Sequence, residues 1–341
     1  MNEFSWPDTL NTVVRRDDLT RSQAQEAMTE IMQGRASDAQ IAAFMIALRT
    51  KEESADELAG LVDGMMSEAV TVPIPDAVDI VGTGGDGFGT FNISTTAAFI
   101  AAGAGVKVAK HGNRAASSPT GSADLLEALG YNLELGPSDV AQMVETSGFG
   151  FFFAPRFHPA MRHVVPARKS LGVRTVFNFL GPLCNPAGAR MSIGASDGRM
   201  AGLMIDTLAA RGLDRAFVYI GDQGLDELST TGPSRIFRLV DGEITEAEFT
   251  PEDFGVARAE IEDLSGGDVV RNVEITMAIL SGDPGPKRDA AVINAAPAIV
   301  LAGLAEGFAE AVQAAATSID SGAAQGALER SLTMSKQLTE S

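Results

Sequence analysis

Residues 77–96 read AVDIVGTGGDGFGTFNISTT, and this stretch decides the fold. AVDIV, at 77–81, is a short apolar run of the kind that forms a buried strand. Gly82, Gly84, Gly85, Gly87 and Gly89 then fall within eight positions. From Ser94 onward, STTAAFIAAGAG reads as a helix packed through Ala97, Ala98 and Ile100. Strand, glycine loop and helix in that order open an α/β layer. Such a loop can turn sharply, expose successive amides and let a ligand approach the backbone. Ser94 or Thr95 is placed to cap the helix, whose free first-turn amides favour phosphate.

The same grammar continues downstream. VKVAKH at 106–111 is a second strand, ADLLEALG at 123–130 a helix, and SDVAQMVETSG another. FGFFFA at 149–154 reads as a central strand, and HPAMRHVVPARKSLG as a helix with an irregularity at Pro166. GRMAGLMIDTLAARG then leads from helix into the strand AFVYIG. This alternation predicts a largely parallel sheet flanked by helices. Residues 232–270 are more antiparallel, with a hairpin expected across Asp241-Gly242. Four alanine-rich helices follow, centred near 275, 298, 315 and 328. Upstream, three amphipathic segments in the first 70 residues predict a small helical domain, broken by Pro73 and Pro75.

The chain has 341 residues, with 26 basic and 45 acidic side chains and a net charge of −19. That balance excludes a broad phosphate-neutralising surface for nucleic acid, and attachment to anionic membranes. The few aromatic residues form no base-stacking pattern either. A small phosphorylated substrate stays open, because a few local cations can outweigh the global field. Cys184 is the lone cysteine, so neither an internal disulfide nor a CxxC metal site can form, and a reducing compartment is expected. MNEFSWPDTL lacks the features of a secretory signal. AAVINAAPAIVLAGLAEGF is interrupted by Asn294, Pro297 and Glu306, short of the roughly 20 apolar residues that span a bilayer. The expected location is the cytoplasm.

Gly82-Thr83-Gly84-Gly85-Asp86-Gly87 satisfies GxGxxG, yet the helix starts well after it. The second strand ends at Lys110-His111 rather than at an acidic ribose-binding residue, which argues against a dinucleotide site. No GK[ST] ending marks a nucleoside-triphosphate loop. KHGNRAASSPTGSAD instead sets Lys110, Arg114 and several hydroxyls just beyond a strand, a cluster able to neutralise and orient phosphate. Asp226 and Glu227 in GLDELST admit two readings. Adjacent carboxylates can hold Mg²⁺ beside substrate phosphates, or cap a helix.

Taken together, GTGGDGFGTFNIST, KHGNRAASSPTGSAD, FAPRFHPAMRHVVPARKSLGVRTVFNFLGPLCNPAG, GLDELST and PGPKRDAAVINAA resemble the anthranilate phosphoribosyltransferase family over nearly the whole chain. The resemblance implies a small, mostly helical domain joined to a larger α/β domain with a largely parallel sheet, as a homodimer. The small domain would be residues 1–75 completed by part of 165–195. Residues 76–341, apart from that insertion, would bind the phosphoribosyl donor. The implied reaction joins the amine of anthranilate to the ribose of phosphoribosyl pyrophosphate and releases pyrophosphate in tryptophan biosynthesis.

Residue roles follow from the same resemblance. Gly82, Gly85, Asp86 and Thr90 would cradle the donor, with Asn92, Ile93, Ser94 and Thr95 at its pyrophosphate. Lys110, His111, Gly112, Asn113, Arg114, Ala115, Ala116, Ser117, Ser118 and Ser122 would complete the donor site. Gly82, Asn113 and Arg168 would meet anthranilate. Ser94 would help one Mg²⁺, and Asp226 with Glu227 would bind a second. Lys110, Ser94, Asp226 and Glu227 would carry the chemistry electrostatically, and no general base is assigned. His111 is expected along the acceptor route, His158 and His163 in packing or capping, and Cys184 as an inert thiol. The chain departs from the family at Ala115, where a serine is usual, and at Pro119, where a lysine is usual. It also reads GDQGLDE where His-Gly often precedes GLDE. Rival readings are a transferase for another aromatic amine and a non-catalytic nucleic-acid-binding relative.

Overall fold

The computed structural model describes residues 4–115 and 119–340. Ala116, Ser117 and Ser118, expected at the donor site, therefore lie outside the described residues. The helical start is written in caps. Helix α1 (Trp6–Val14) begins behind Ser5, whose hydroxyl accepts from the Asp8 amide. Helices α2 (Arg21–Met32), α3 (Asp38–Lys51) and α4 (Ala55–Met66) each open with a reciprocal capping box. Thr20/Gln23, Ser37/Gln40 and Ser54/Glu57 satisfy the first-turn amides that would otherwise lack partners.

Strand β1 (Val78–Gly82) leads into α5 (Ile93–Gly103), β2 (Val108–Gly112), α6 (Ser122–Leu129), α7 (Pro137–Ser147) and β3 (Phe149–Phe153). All five residues of β3 are buried, as expected of a near-continuous apolar strand. HPAMRHVVPARKSLG is not one helix. A short α8 (Ala154–Phe157) precedes a 3₁₀ turn at Pro159–His163, and α9 (Val165–Leu171) restarts with Pro166 in its first turn. Proline suits the first turn, because its missing N–H is one of the unpaired ones anyway. Then come α10 (Phe177–Leu183), β4 (Arg190–Gly194), α11 (Gly198–Ala210) and β5 (Arg215–Ile220). Strands β6 (Ser234–Val240) and β7 (Glu243–Phe249) form the expected hairpin, with Asp241 at φ +50° and Gly242 at φ +87°. The chain ends in α12 (Val269–Leu280), α13 (Pro286–Leu301), α14 (Phe308–Asp320) and α15 (Ala323–Glu340).

The seven strands lie in the order β3-β2-β1-β4-β5-β6-β7. The first five run parallel and the last two antiparallel. Exposed Glu243, Glu246 and Glu248 line the edge strand β7. One core packs α5 and α12–α15 against β1–β3. The other joins α1–α4 to Val164, Ala167, Phe177, Leu180 and Leu183, and to α11. Among the described residues, no helix is long and apolar enough to cross a membrane.

Glu57 ties the helical unit together from inside. Fully buried, it accepts from the amides of Leu19 (3.0 Å) and Ser54 (2.9 Å) and pairs with the Lys51 ammonium at 2.8 Å. Removing one member of a buried pair strands the other charge. Asp18 still holds Lys51 from the solvent side, so Glu57→Ala should cost about 3 kcal/mol, near the lower end for such losses. A urea-unfolding midpoint within error of the parent would refute this.

Candidate active site

The site follows from strand order. β2 and β3 run off one side of β1, while β4 and β5 run off the other, so a crevice opens at the carboxyl ends of β1 and β4. Gly82 and Gly194 end these two strands and are paired in register. The segment after β5 crosses directly over them. A Cβ on Gly194 would lie 1.8 Å from the Asp226 carbonyl oxygen, and one on Gly82 would lie 2.4 Å from Asp226 Oδ2. Only glycine at both positions lets Asp226 and Glu227 rest on the strand ends.

From there the two carboxylates reach the glycine loop. The Gly84 amide donates to Asp226 Oδ2 at 2.5 Å, and the Ser94 amide donates to Glu227 Oε1 at 3.1 Å. This corrects the expected cap of α5, which starts at Ile93 with Asn92 in the cap position and no side-chain cap. The Asn92 Nδ2 donates to the Thr120 carbonyl instead, and Glu227 supplies the acceptor at the helix start. Burial and the Asp86 charge push Asp226 up to about 7. Burial and Asp226 raise Glu227 well above the usual carboxylate range.

Three buried oxygens here have no hydrogen-bond partner among the described residues: Asp86 Oδ2, Asn92 Oδ1 and Thr95 Oγ1. Crowded carboxyl groups that resist ionising, beside unpartnered oxygens, suit a hard divalent cation. Among the described residues no group of three or more His, Cys, Asp or Glu could hold a metal ion. An ion at Ser94, Asp226 and Glu227 would therefore need oxygen from a bound phosphate or water.

Lys110, on β2, supports the loop from below. It is 1% exposed and donates through Nζ to the Ile80 carbonyl and to Ser94 Oγ (3.4 Å). Burial lowers its pKa, while Asp79 and Glu227 oppose that shift. Asp79 is itself buried, accepts from the His111 amide (3.1 Å) and Asn185 Nδ2 (2.8 Å), and is pushed up by burial to about 6. At its far end the loop is held through Thr90, which bridges Ser265, and through the Gly89 carbonyl, which accepts from the Gly266 amide.

The second loop is less concentrated than its sequence suggests. Ser122 Oγ donates to the Asn113 carbonyl beside Gly112, and Asn113 and Ala115 are exposed. The Arg114 guanidinium is engaged by Glu127 (2.7 and 2.9 Å) and Asp124 (3.2 Å), and lies 5.8 Å from the Phe153 ring centre. His111 packs against His158 with ring centres 5.0 Å apart, and its Nδ1 faces the Gly181 carbonyl. Burial pushes His111 down to about 3 and His158 to about 4, so both are neutral near pH 7. The His163 ring covers Gly34. Burial also raises the Cys184 thiol to about 12, consistent with an inert group. Arg168 stands half-buried on α9, with no carboxylate paired to it among the described residues.

Sequence reasoning overlooked Asp79, Asn185, Arg174 and Ser196. All four act through partners far away along the chain, and no local pattern marks them.

Residues 7–69 match the helical bundle domain, and residues 74–325 the a/b domain, of a glycosyl transferase family. The chain is 49% identical over 341 residues to the anthranilate phosphoribosyltransferase of Salinispora arenicola, covering 97% of this chain and 96% of that one. It superposes on the crystal structure of anthranilate phosphoribosyltransferase from Thermus thermophilus with a TM-score of 0.91. That match has 40% identity and covers 96% of this chain and 99% of the other. The Saccharomyces cerevisiae enzyme in complex with PRPP and Mg gives a TM-score of 0.89 at 28% identity, over 98% of this chain and 99% of that one.

The chain belongs to the anthranilate phosphoribosyltransferase family.

Within this family member, the crossing of Asp226 over the strand ends is open to direct test. Gly194→Ala should displace the 226–227 segment, costing about 1–3 kcal/mol of stability and at least about a hundredfold in transferase turnover, the scale of losing a preorganised electrostatic contact. Parent-like turnover in this variant would show that the close contact is dispensable.

Proposed function

We propose that the crevice at the ends of β1 and β4 carries out the family reaction with the residues placed there. That reaction moves the 5-phosphoribosyl group of phosphoribosyl pyrophosphate to the amine of anthranilate, giving N-(5-phosphoribosyl)anthranilate and pyrophosphate in tryptophan biosynthesis. One observation carries the assignment of roles. Asp226 and Glu227 bond the amides of Gly84 and Ser94, where an anion cradle would be expected. Two carboxylates on an anion cradle make sense when a divalent cation joins them to a polyanion.

In this reading Gly82, Gly85, Asp86, Thr90 and the segment Asn92–Thr95 bind and orient the donor. Ser94 holds one Mg²⁺ ion, while Asp226 and Glu227 hold a second. Bound Mg²⁺ supplies positive charge against the pyrophosphate as the anomeric C–O bond breaks. Lys110 adds a fixed positive charge beneath the loop, where low polarity strengthens its field. Asn113 and Arg168 orient anthranilate through its carboxylate and place the amine against the opposite face of the ribose. The electron pair of the amine forms the new C–N bond, and the electrons of the broken C–O bond leave with pyrophosphate. The amine proton leaves late, to water or to pyrophosphate. Neutral, buried His111 is not required as a base and lines the acceptor route.

Residues 1–75 with part of 165–195 form the small domain in this proposal; Val164, Ala167, Phe177, Leu180 and Leu183 pack with α1–α4, in a core that also continues into α11 and the sheet. The active form is a homodimer in the cytoplasm, and exposed Val14 and Val165 on the helical unit offer apolar surface for a second copy.

Purified protein with Mg²⁺, anthranilate and phosphoribosyl pyrophosphate should form the phosphoribosyl amine, followed by loss of anthranilate fluorescence. Replacing both Asp226 and Glu227 by Ala should lower kcat/KM at least about a hundredfold. Unchanged rate and Mg²⁺ dependence in that double variant would reject their role. Arg168→Ala should raise KM for anthranilate by about ten- to a hundredfold, the value of a charged hydrogen bond. A defect confined to the donor would place Arg168 elsewhere.

A further inference from the structure

The segment following α9 touches the donor side of the crevice as well as the acceptor side. Six residues after Arg168, beyond the left-handed Gly172, Arg174 extends to the glycine loop. Its Nη1 donates to the Gly85 carbonyl at 2.9 Å. Its Nη2 donates to the Gly84 carbonyl and to Ser196 Oγ, both at 3.1 Å. The guanidinium lies 5.3 Å from the Phe179 ring centre, and the Arg174 carbonyl accepts from Arg49 on α3. Ser196 closes the network by donating from Oγ to the Gly84 carbonyl (3.1 Å) and from its amide to Thr83 Oγ1 (3.1 Å). Among the described residues no carboxylate pairs with Arg174. Its charge is directed at two backbone carbonyls.

That contact fixes more than the carbonyls. In a trans peptide the C=O and the N–H point in opposite directions, and this chain has no cis bonds among the described residues. The Gly84 carbonyl shares its peptide with the Gly85 amide, and the Gly85 carbonyl shares its peptide with the Asp86 amide. Holding both oxygens on the Arg174 side turns both amides the other way. Neither amide donates to any group among the described residues. A cation at a carbonyl also polarises the peptide and strengthens its N–H as a donor.

We propose that Arg174 is a positioning residue that presents the Gly85 and Asp86 amides to the phosphates of the donor. It also anchors this loop to the helical unit through Arg49. This rests on the donor site assigned above. Lysine cannot substitute fully, because one ammonium lacks the planar fork that spans two carbonyls.

Arg174→Ala should raise KM for phosphoribosyl pyrophosphate about tenfold or more, with kcat and the anthranilate KM within about threefold of the parent. Arg174→Lys should fall between the two. Calorimetry with magnesium pyrophosphate should show the same weakening without any turnover, and amide exchange in residues 83–89 of the free protein should accelerate. A donor KM within twofold of the parent in the alanine variant would overturn the proposal. So would a loss confined to kcat, or a parent-like donor KM in Arg174→Lys if the alanine variant does not fold. Turnover by the parent separates the two readings. If the parent is active and the variants keep its donor KM, only the Arg174 role falls. If the parent is inactive, the family reaction falls, and unchanged pyrophosphate binding in the variants would overturn the Arg174 role as well.

Discussion

The site depends on a single close passage, in which the Asp226 backbone crosses the ends of the two central strands. A methyl group on Gly194 would occupy the space of the Asp226 carbonyl oxygen, and one on Gly82 would meet its carboxylate. Because the crossing is so tight, the carboxylates of residues 226 and 227 arrive at the glycine loop rather than in solvent. From there they organise the Gly84 amide and the first turn of α5. Desolvation opposes ionisation of both groups. The fold thus holds two carboxyl groups where ionisation is costly, and a divalent cation bound beside them would favour their charged form.

Two cations flank the glycine loop: Lys110 bonds Ser94 from below, under the influence of Asp79 and Glu227, and Arg174 faces the Gly84 and Gly85 carbonyls. The chain's net charge of −19 acts at the surface through water and salt, where fields fade over about 8–10 Å. A strongly acidic chain can therefore hold an anionic substrate without contradiction. The global charge bears on extended partners, while the local arrangement bears on what enters the crevice.

Much of this was legible in the sequence because it is local. The amphipathic segments of the first 70 residues, the strand and glycine loop at 77–89, and the Asp241-Gly242 turn are each set by residues close together in the chain. The cap of α5 was not legible, since its acceptor comes from 133 residues away. A helix-start hydroxyl at Ser94 looks like a cap until Glu227 is found occupying its amide. Arg114 reads as a phosphate ligand in a basic cluster, yet Glu127, one helix on, already engages its guanidinium. Arg174 has no signature at all, because its partners are backbone carbonyls and those carry no residue identity.

The edge strand of the sheet has a consequence of a different kind. A free strand edge invites another chain to add itself by backbone pairing, and repeated addition builds fibrils. In this chain β3 at one edge is buried throughout, and β7 at the other presents Glu243, Glu246 and Glu248. Two β7 edges brought together would set glutamates against glutamates, so edge-to-edge stacking is disfavoured by repulsion. The β6–β7 hairpin thus carries acidic side chains at the edge where another chain could pair.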